Sequence, residues 1–227
     1  MAPASRASAT PAALRAMSPS LRRMLCGAAL ATAVSGTAAG YTVTLSPAAP
    51  LTVYLQVGVG SFTNDYIYGG QPQNNTTINT VSVSPAASVI GNSSAQTMTT
   101  NSTASASYYD GYTFCSAPSQ LYIGGFYRTT GSTTAAAKVT ATVPAALVNT
   151  SGGTIPFSQI SWSTSGNGDS GAEPFPAGTF VNGGAQSVGS MSSNTWNESC
   201  WTFSYLNTLV PAAGTFTGVV LYTLSAP

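Results

Sequence analysis

Val210-Pro211-Ala212-Ala213-Gly214-Thr215-Phe216-Thr217-Gly218-Val219-Val220-Leu221-Tyr222-Thr223-Leu224-Ser225-Ala226-Pro227 closes the 227-residue chain. A Pro/Gly turn leads into a run that places Phe216, Gly218, Val220, Tyr222 and Leu224 on one face of an extended chain. Thr215, Thr217, Val219, Leu221 and Thr223 fall on the other. This period of two is that of a strand, and a strand needs neighbours to satisfy its backbone N–H and C=O groups. The same alternation recurs upstream with no useful helical period, so the chain is expected to be all-β: an antiparallel β-sandwich, with a β-barrel as the alternative.

Working back from that end, Trp201, Phe203 and Tyr205 line one face of a strand and Cys200, Thr202 and Ser204 the other. Lys138 to Val143 alternates Lys/Thr/Thr with Val/Ala/Val and should be half exposed, whereas Ile155 to Trp162 reads as core. Leu121 to Arg128 is a strand whose Gly124-Gly125 pair signals a bulge or a close backbone approach. Asp110-Gly111 between tyrosines is a hairpin signal, with Tyr112 to Cys115 as its outgoing strand. Ile78 to Val83 predicts a short strand and Ala86 to Ser107 an edge strand. Leu51, Val53, Leu55, Val57 and Val59 make the cleanest inward-facing set in the chain. Pro176-Ala177-Gly178-Thr179-Phe180 echoes Pro211 to Phe216, which shared turn chemistry explains without duplication.

Residues 1–40 differ in composition from the rest. They hold Arg6, Arg15, Arg22 and Arg23, four of the six basic residues, and no acid. Arg22-Arg23, the apolar run Met24 to Val34 and the small residues Ser35 to Gly40 follow the order of a secretory signal peptide, and the run is too short to span a bilayer. Residues 1–40 are therefore expected to be cleaved, leaving residues 41–227 as a single secreted domain with no membrane span. Cys26 would be discarded with the signal, and the even pair that remains, Cys115 and Cys200, predicts one disulfide in an oxidising compartment, with two free thiols as the alternative.

After that cleavage two basic and five acidic side chains remain, a formal charge of −3. Arg128 and Lys138 cannot form the basic patch that neutralises phosphates, so nucleic acid is excluded as a partner. Gly168-Asp169-Ser170-Gly171 has the lettering of a serine-protease nucleophile, but the chain contains no histidine to act as base. It reads as a turn. Asp169-Ser170-Gly171 lacks the second copy that an aspartic-protease dyad requires, and no pair of acids sits in a glycosidase context. The oxygen-rich Asn167 to Glu173 stretch departs from EF-hand spacing, and no His/Cys zinc set exists. No catalytic residue, metal or cofactor is expected. Asn74, Asn75, Asn92, Asn101, Asn149 and Asn197 match the N-glycosylation pattern, which matters only in a glycosylating host. Tyr66, Tyr68, Tyr108, Tyr109, Tyr122, Trp196 and Trp201 are the aromatics available to stack on sugar rings, or alternatively to build the core.

The closing Gly214-Thr215-Phe216-Thr217-Gly218-Val219-Val220-Leu221-Tyr222-Thr223-Leu224 run resembles the last strand of bacterial surface domains. It is similar to WxL cell-wall-binding domains, with Tyr222-Thr223-Leu224 in place of Trp-x-Leu, and to spore-coat-U-type, pilin-like subunits. The resemblance covers about fifteen residues, implies an Ig-like, pilin-like or jelly-roll-like sandwich, and transfers no site residue. The expectation is a non-catalytic extracellular or cell-surface protein, structural or adhesive, such as a subunit of a fibre or surface layer. Its partners would be further copies or other surface proteins. A monomeric module binding cell-wall or extracellular polysaccharide is the alternative.

Overall fold

Valine, threonine and aromatic residues at a period of two fit a pleated surface covered on one side, and the chain is built from that pattern almost throughout. The computed structural model describes residues 52–63, 71–73, 75–109, 111–131, 133–166 and 174–227. The signal-like stretch 1–40, Tyr41 to Leu45, the turn glycines Gly69 and Gly70 and the Gly168 to Gly171 motif lie outside the described residues.

In chain order the strands are β1 (Thr52–Val57), β2 (Phe62–Thr63), β3 (Gln71–Pro72), β4 (Val81–Ser82), β5 (Gln96–Thr97), β6 (Thr99–Thr100), β7 (Leu121–Arg128), β8 (Ala137–Val143), β9 (Ala146–Val148), β10 (Thr154–Pro156), β11 (Ile160–Ser165), β12 (Gly178–Thr179), β13 (Gly184–Met191), β14 (Trp196–Tyr205) and β15 (Leu221–Ser225). A six-stranded sheet runs β1-β7-β14-β11-β12, with β5 also pairing β14, and a three-stranded sheet runs β13-β8-β15. All the ladders between these strands are antiparallel. The two sheets pack into a sandwich, and no barrel closes among the described residues.

Alternation decides what enters the core. On β14, Trp201, Phe203 and Tyr205 point inward, joined by Ile160 and Trp162 of β11 and by Leu121, Ile123 and Tyr127 of β7. Opposite them stand Ala137, Val139, Ala141 and Val143 of β8, Val188 and Met191 of β13, and Tyr222 and Leu224 of β15. Trp162 and Trp201 stack at 5.1 Å with rings 6° from parallel, in the middle of this layer. β8 is half exposed, as its sequence predicts, with Lys138, Thr140 and Thr142 on its outer side.

Gly124 and Gly125 mark a close approach and no bulge, since the β1–β7 and β7–β14 registers run through them unbroken. A Cβ on Gly125 would strike the Tyr54 carbonyl oxygen of β1. Several local expectations fail. Ile78 to Val83 yields only the two residues of β4, and Ile78 is 82% exposed. Ala86 to Ser107 is not one edge strand: it contains a 3-10 turn at Ala87–Val89 and the short β5 and β6, because its Ser/Thr/Asn side chains bond nearby backbone and compete with a ladder. Tyr112 to Cys115 keeps a single bridge, Ala106 to Thr113, although the turn at Gly111 forms with φ 76°. The inward set of β1 keeps its direction but is thinly covered, Leu55 and Val57 packing against the sandwich core while the opposite face is the more buried one. Tyr54 and Gln56 are its buried side chains, while Val53, Leu55 and Val57 are only partly covered.

Candidate functional site

β14 carries two kinds of side chain on opposite faces, and its outer face places Trp196, Glu198 and Cys200 beneath the segment that runs from residue 101 to residue 115. Cys115 bonds Cys200 across 85 residues with a Cα–Cα distance of 5.5 Å, the disulfide that the cysteine count predicts. Two residues along, Glu198 is 2% exposed and its Oε2 accepts hydrogen bonds from the Tyr122 hydroxyl and the Trp196 Nε1–H, each at 2.9 Å. Burial, reinforced by the neighbouring carboxylate, pushes the Tyr122 phenol well above its ordinary value of 10.0. Tyr54, Phe62, Phe126 and Trp196 surround this network, and the Arg128 guanidinium lies 4.9 Å over the Phe126 ring. Both donors converge on one oxygen, so the network joins β7 to β14, and the Cys115–Cys200 bond ties the covering segment to the same face. Sequence reading did not single out Glu198. The signal was a lone acid in Trp-Asn-Glu-Ser-Cys, at the period that puts it on the face of Trp196 and Cys200.

Four of the five acids, Asp65, Asp110, Asp169 and Glu173, lie outside the described residues, as do Tyr66 and Tyr68. Tyr122, Trp196 and Trp201 are buried, and Tyr108 and Tyr109 are half-buried, so these five build packing and no exposed stacking platform. Among the described residues no group of three or more metal-ligating side chains comes together, and no helix is long and apolar enough to cross a membrane. Of the asparagines of the glycosylation pattern, Asn92 and Asn149 serve turns, Asn92 Oδ1 accepting from the Ser94 amide and Asn149 Oδ1 from Ser151 and Gly153, while Asn101 Oδ1 accepts from the Thr80 amide of a neighbouring segment.

The two open sides of the sandwich differ. On the side of β12 and β13, Gln186 sutures the sheets, donating from Nε2 to the Thr179 carbonyl at 3.1 Å and accepting from the Val181 amide at 2.6 Å. The Ser190 amide donates to the Pro174 carbonyl, and Phe175 and Phe180, at 0% and 3% exposure, plug the gap. A shift in register between Ser187 and Gly189 bends β13 there.

The other side is open. A cleft of ≈ 480 Å³ lies between β1 and β15, lined by Val53, Leu55, Val57, Tyr222 and Leu224 and equally by the polar residues Gln56, Ser61, Gln73, Asn75 and Thr223. β15 forms a ladder with β8 alone among the described strands. Tyr222 and Leu224 of β15, and Phe216 and Val220 of the segment before it, face the core as the sequence predicts, yet all stay half-buried, and the strand itself is shortened to Leu221–Ser225. Burial raises the Tyr222 phenol above its ordinary value, so it is neutral at physiological pH. What such a cleft can do chemically is accept an extended chain, offering strand-edge backbone groups and apolar sockets for alternate side chains. In comparisons with known proteins, no family model, no curated protein and no solved structure matches this chain.

Proposed function

We propose that this is a non-catalytic extracellular protein that acts as a structural or adhesive subunit, assembling with further copies into a surface fibre or layer. One observation carries the reading: one side of the sandwich is sutured by Gln186 and aromatic plugs, while the other leaves aliphatic side chains of β1 and β15 half covered. A strand edge with no ladder partner among the described residues, beside partly covered apolar side chains, favours association, and natural proteins normally blunt such edges. The near absence of charge removes the repulsion that keeps most surfaces apart. The Cys115–Cys200 disulfide and the basic-apolar-small order of residues 1–40 support export. A catalytic reading has no support from Glu198, which is buried and engaged by two donors. The glycan-binding alternative is weakened by the burial of Tyr122, Trp196 and Trp201, three of its seven candidate stacking residues.

The test is the size of the oxidised, exported protein by light scattering and electron microscopy. Ordered assemblies are expected; a strict monomer at every concentration overturns the reading. N-terminal sequencing of the exported material should begin near Tyr41, and recovery of uncut Met24 to Val34 would sink the signal-peptide assignment.

A further inference from the structure

Independently of the subunit reading, we infer that Asn182, in the turn joining β12 to β13, is a site of spontaneous covalent modification: its side-chain amide is lost to attack by the next backbone nitrogen, and the product loosens the sutured side of the sandwich. The turn reads Val181-Asn182-Gly183-Gly184. Asn182 is exposed and lies outside any strand. Gly183, at φ 87°, has no Cβ to crowd the approach of its own nitrogen to the neighbouring side chain. Every other asparagine among the described residues precedes serine, threonine or glutamate, whose Cβ does crowd it.

The fold leaves the reacting groups available and aims a donor at them. Among the described residues neither the Gly183 N–H nor the Asn182 Nδ2 donates to an acceptor. Asn182 Oδ1 accepts from the Ser158 amide at 2.8 Å. That donor faces the oxygen on which negative charge gathers as Cγ becomes tetrahedral, and so it favours the attack. Nucleophile and target are neighbours in one chain, which makes the step intramolecular. The Gly183 nitrogen gives its proton to solvent base and bonds to Cγ; the Cγ–Nδ2 bond breaks and ammonia leaves, closing a five-membered succinimide. Water then opens the ring at either carbonyl to give aspartate or isoaspartate. In isoaspartate the main chain runs through Cγ and is longer by one atom.

That extra atom falls inside the suture. Gln186 accepts from the Val181 amide at 2.6 Å and donates to the Thr179 carbonyl at 3.1 Å. Lengthening the chain between Val181 and Gln186, and adding a carboxylate there, pulls this clamp out of register.

The experiment incubates the exported, oxidised protein at mildly alkaline pH, alongside the same protein in urea, and maps its peptides by mass, with isoaspartate read by enzymatic methylation. Expected is an amide-to-acid mass change at Asn182, with isoaspartate among the products, at a rate no lower than in urea; the Asn167-Gly168 pair is read on its own peptide. A folded protein in which Asn182 reacts at least about tenfold more slowly than in urea would show that the fold shields it, which overturns the inference. Asn182→Gln should remove the signal. Ser158→Pro, which deletes the donated N–H, should slow it by about tenfold, with the Cys115–Cys200 bond and the β-sheet circular dichroism retained; an unchanged or faster rate refutes the role of that donor. Hydrogen exchange reads the consequence: the isoaspartate form should lose protection at the Val181 amide, whereas Asn182→Asp, which carries the charge without the extra atom, should keep it. Full protection of Val181 in the isoaspartate form refutes the loosening.

Discussion

Glu198 surrenders its hydration to sit under the covering loop, and the Tyr122 hydroxyl and Trp196 indole N–H replace part of it. Removing the acceptor while keeping the volume leaves two buried donors without that oxygen, at about 1–3 kcal/mol each. Glu198→Leu should therefore lower stability by roughly 2–5 kcal/mol, read from urea midpoints, while Glu198→Gln, which keeps an acceptor oxygen, should lose distinctly less. An equal loss in the two variants would refute the shared-acceptor account. Tyr122 predicts a pH dependence with a defined sign. Its folded pKa is raised well above the unfolded value of 10.0, so its contribution is fully present below pH 10 and is lost as pH climbs beyond it. The urea midpoint should be flat with respect to this group from pH 7 to 9 and fall above 10, and Tyr122→Phe should flatten part of that fall. Identical alkaline curves for the two proteins would reject the assignment.

Among the elements, β7 is the strand most fully set by its surroundings, buried along its whole length between β1 and β14. Gly125 permits the spacing. Its missing Cβ leaves room for the Tyr54 carbonyl, a backbone group that cannot rotate aside. Gly125→Ala should cost about 1–3 kcal/mol by forcing β1 away from β7, and hydrogen exchange should accelerate selectively in Thr52–Val57. Protection of β1 equal to the parent would show that the ladder absorbs the methyl group. The Cys115–Cys200 bond pins the covering segment to β14 across 85 residues. Replacing both cysteines by alanine should cost about 2–5 kcal/mol, and the parent should fall to the same midpoint on reduction. The bounds of β7 were legible as an unbroken aromatic and aliphatic run closed by Arg128, and those of β8 because its apolar and polar positions alternate. Ala86 to Ser107 was not, because runs of Ser, Thr and Asn leave the choice between ladder and turn to whichever backbone partner the fold brings near.

The molecule as a whole has one sutured and one unsutured side, and this asymmetry governs how copies should behave in salt. Arg128 is 1% exposed, so Lys138 is the basic side chain that the described residues offer to solvent, and no charged side chain lines the cleft between β1 and β15. Assembly through it should be insensitive to screening or strengthened by salt: particles at 1 M salt should be no smaller than at low ionic strength, where a charge-driven contact would come apart. Light scattering across that range decides the matter, and dissociation at high salt would indicate an ionic interface elsewhere.

What the sequence determined by itself was local: that the chain is built of strands, which residues share a face in β8, β14 and β15, and that Cys115 and Cys200 are the pair to join. These follow from a period of two and from counting, and neither depends on distant parts of the chain. Only the tertiary structure decided how fully each face of β1 is covered: Tyr54 and Gln56 are buried on the outer face, while Leu55 and Val57 meet the sandwich core in part. It alone placed Glu198 beneath the covering loop, drew Tyr122, Trp196 and Trp201 inside, and left β1 and β15 flanking an open cleft. Strand order depends on which ladders form between segments far apart in sequence, and alternation within one strand carries no record of its neighbours.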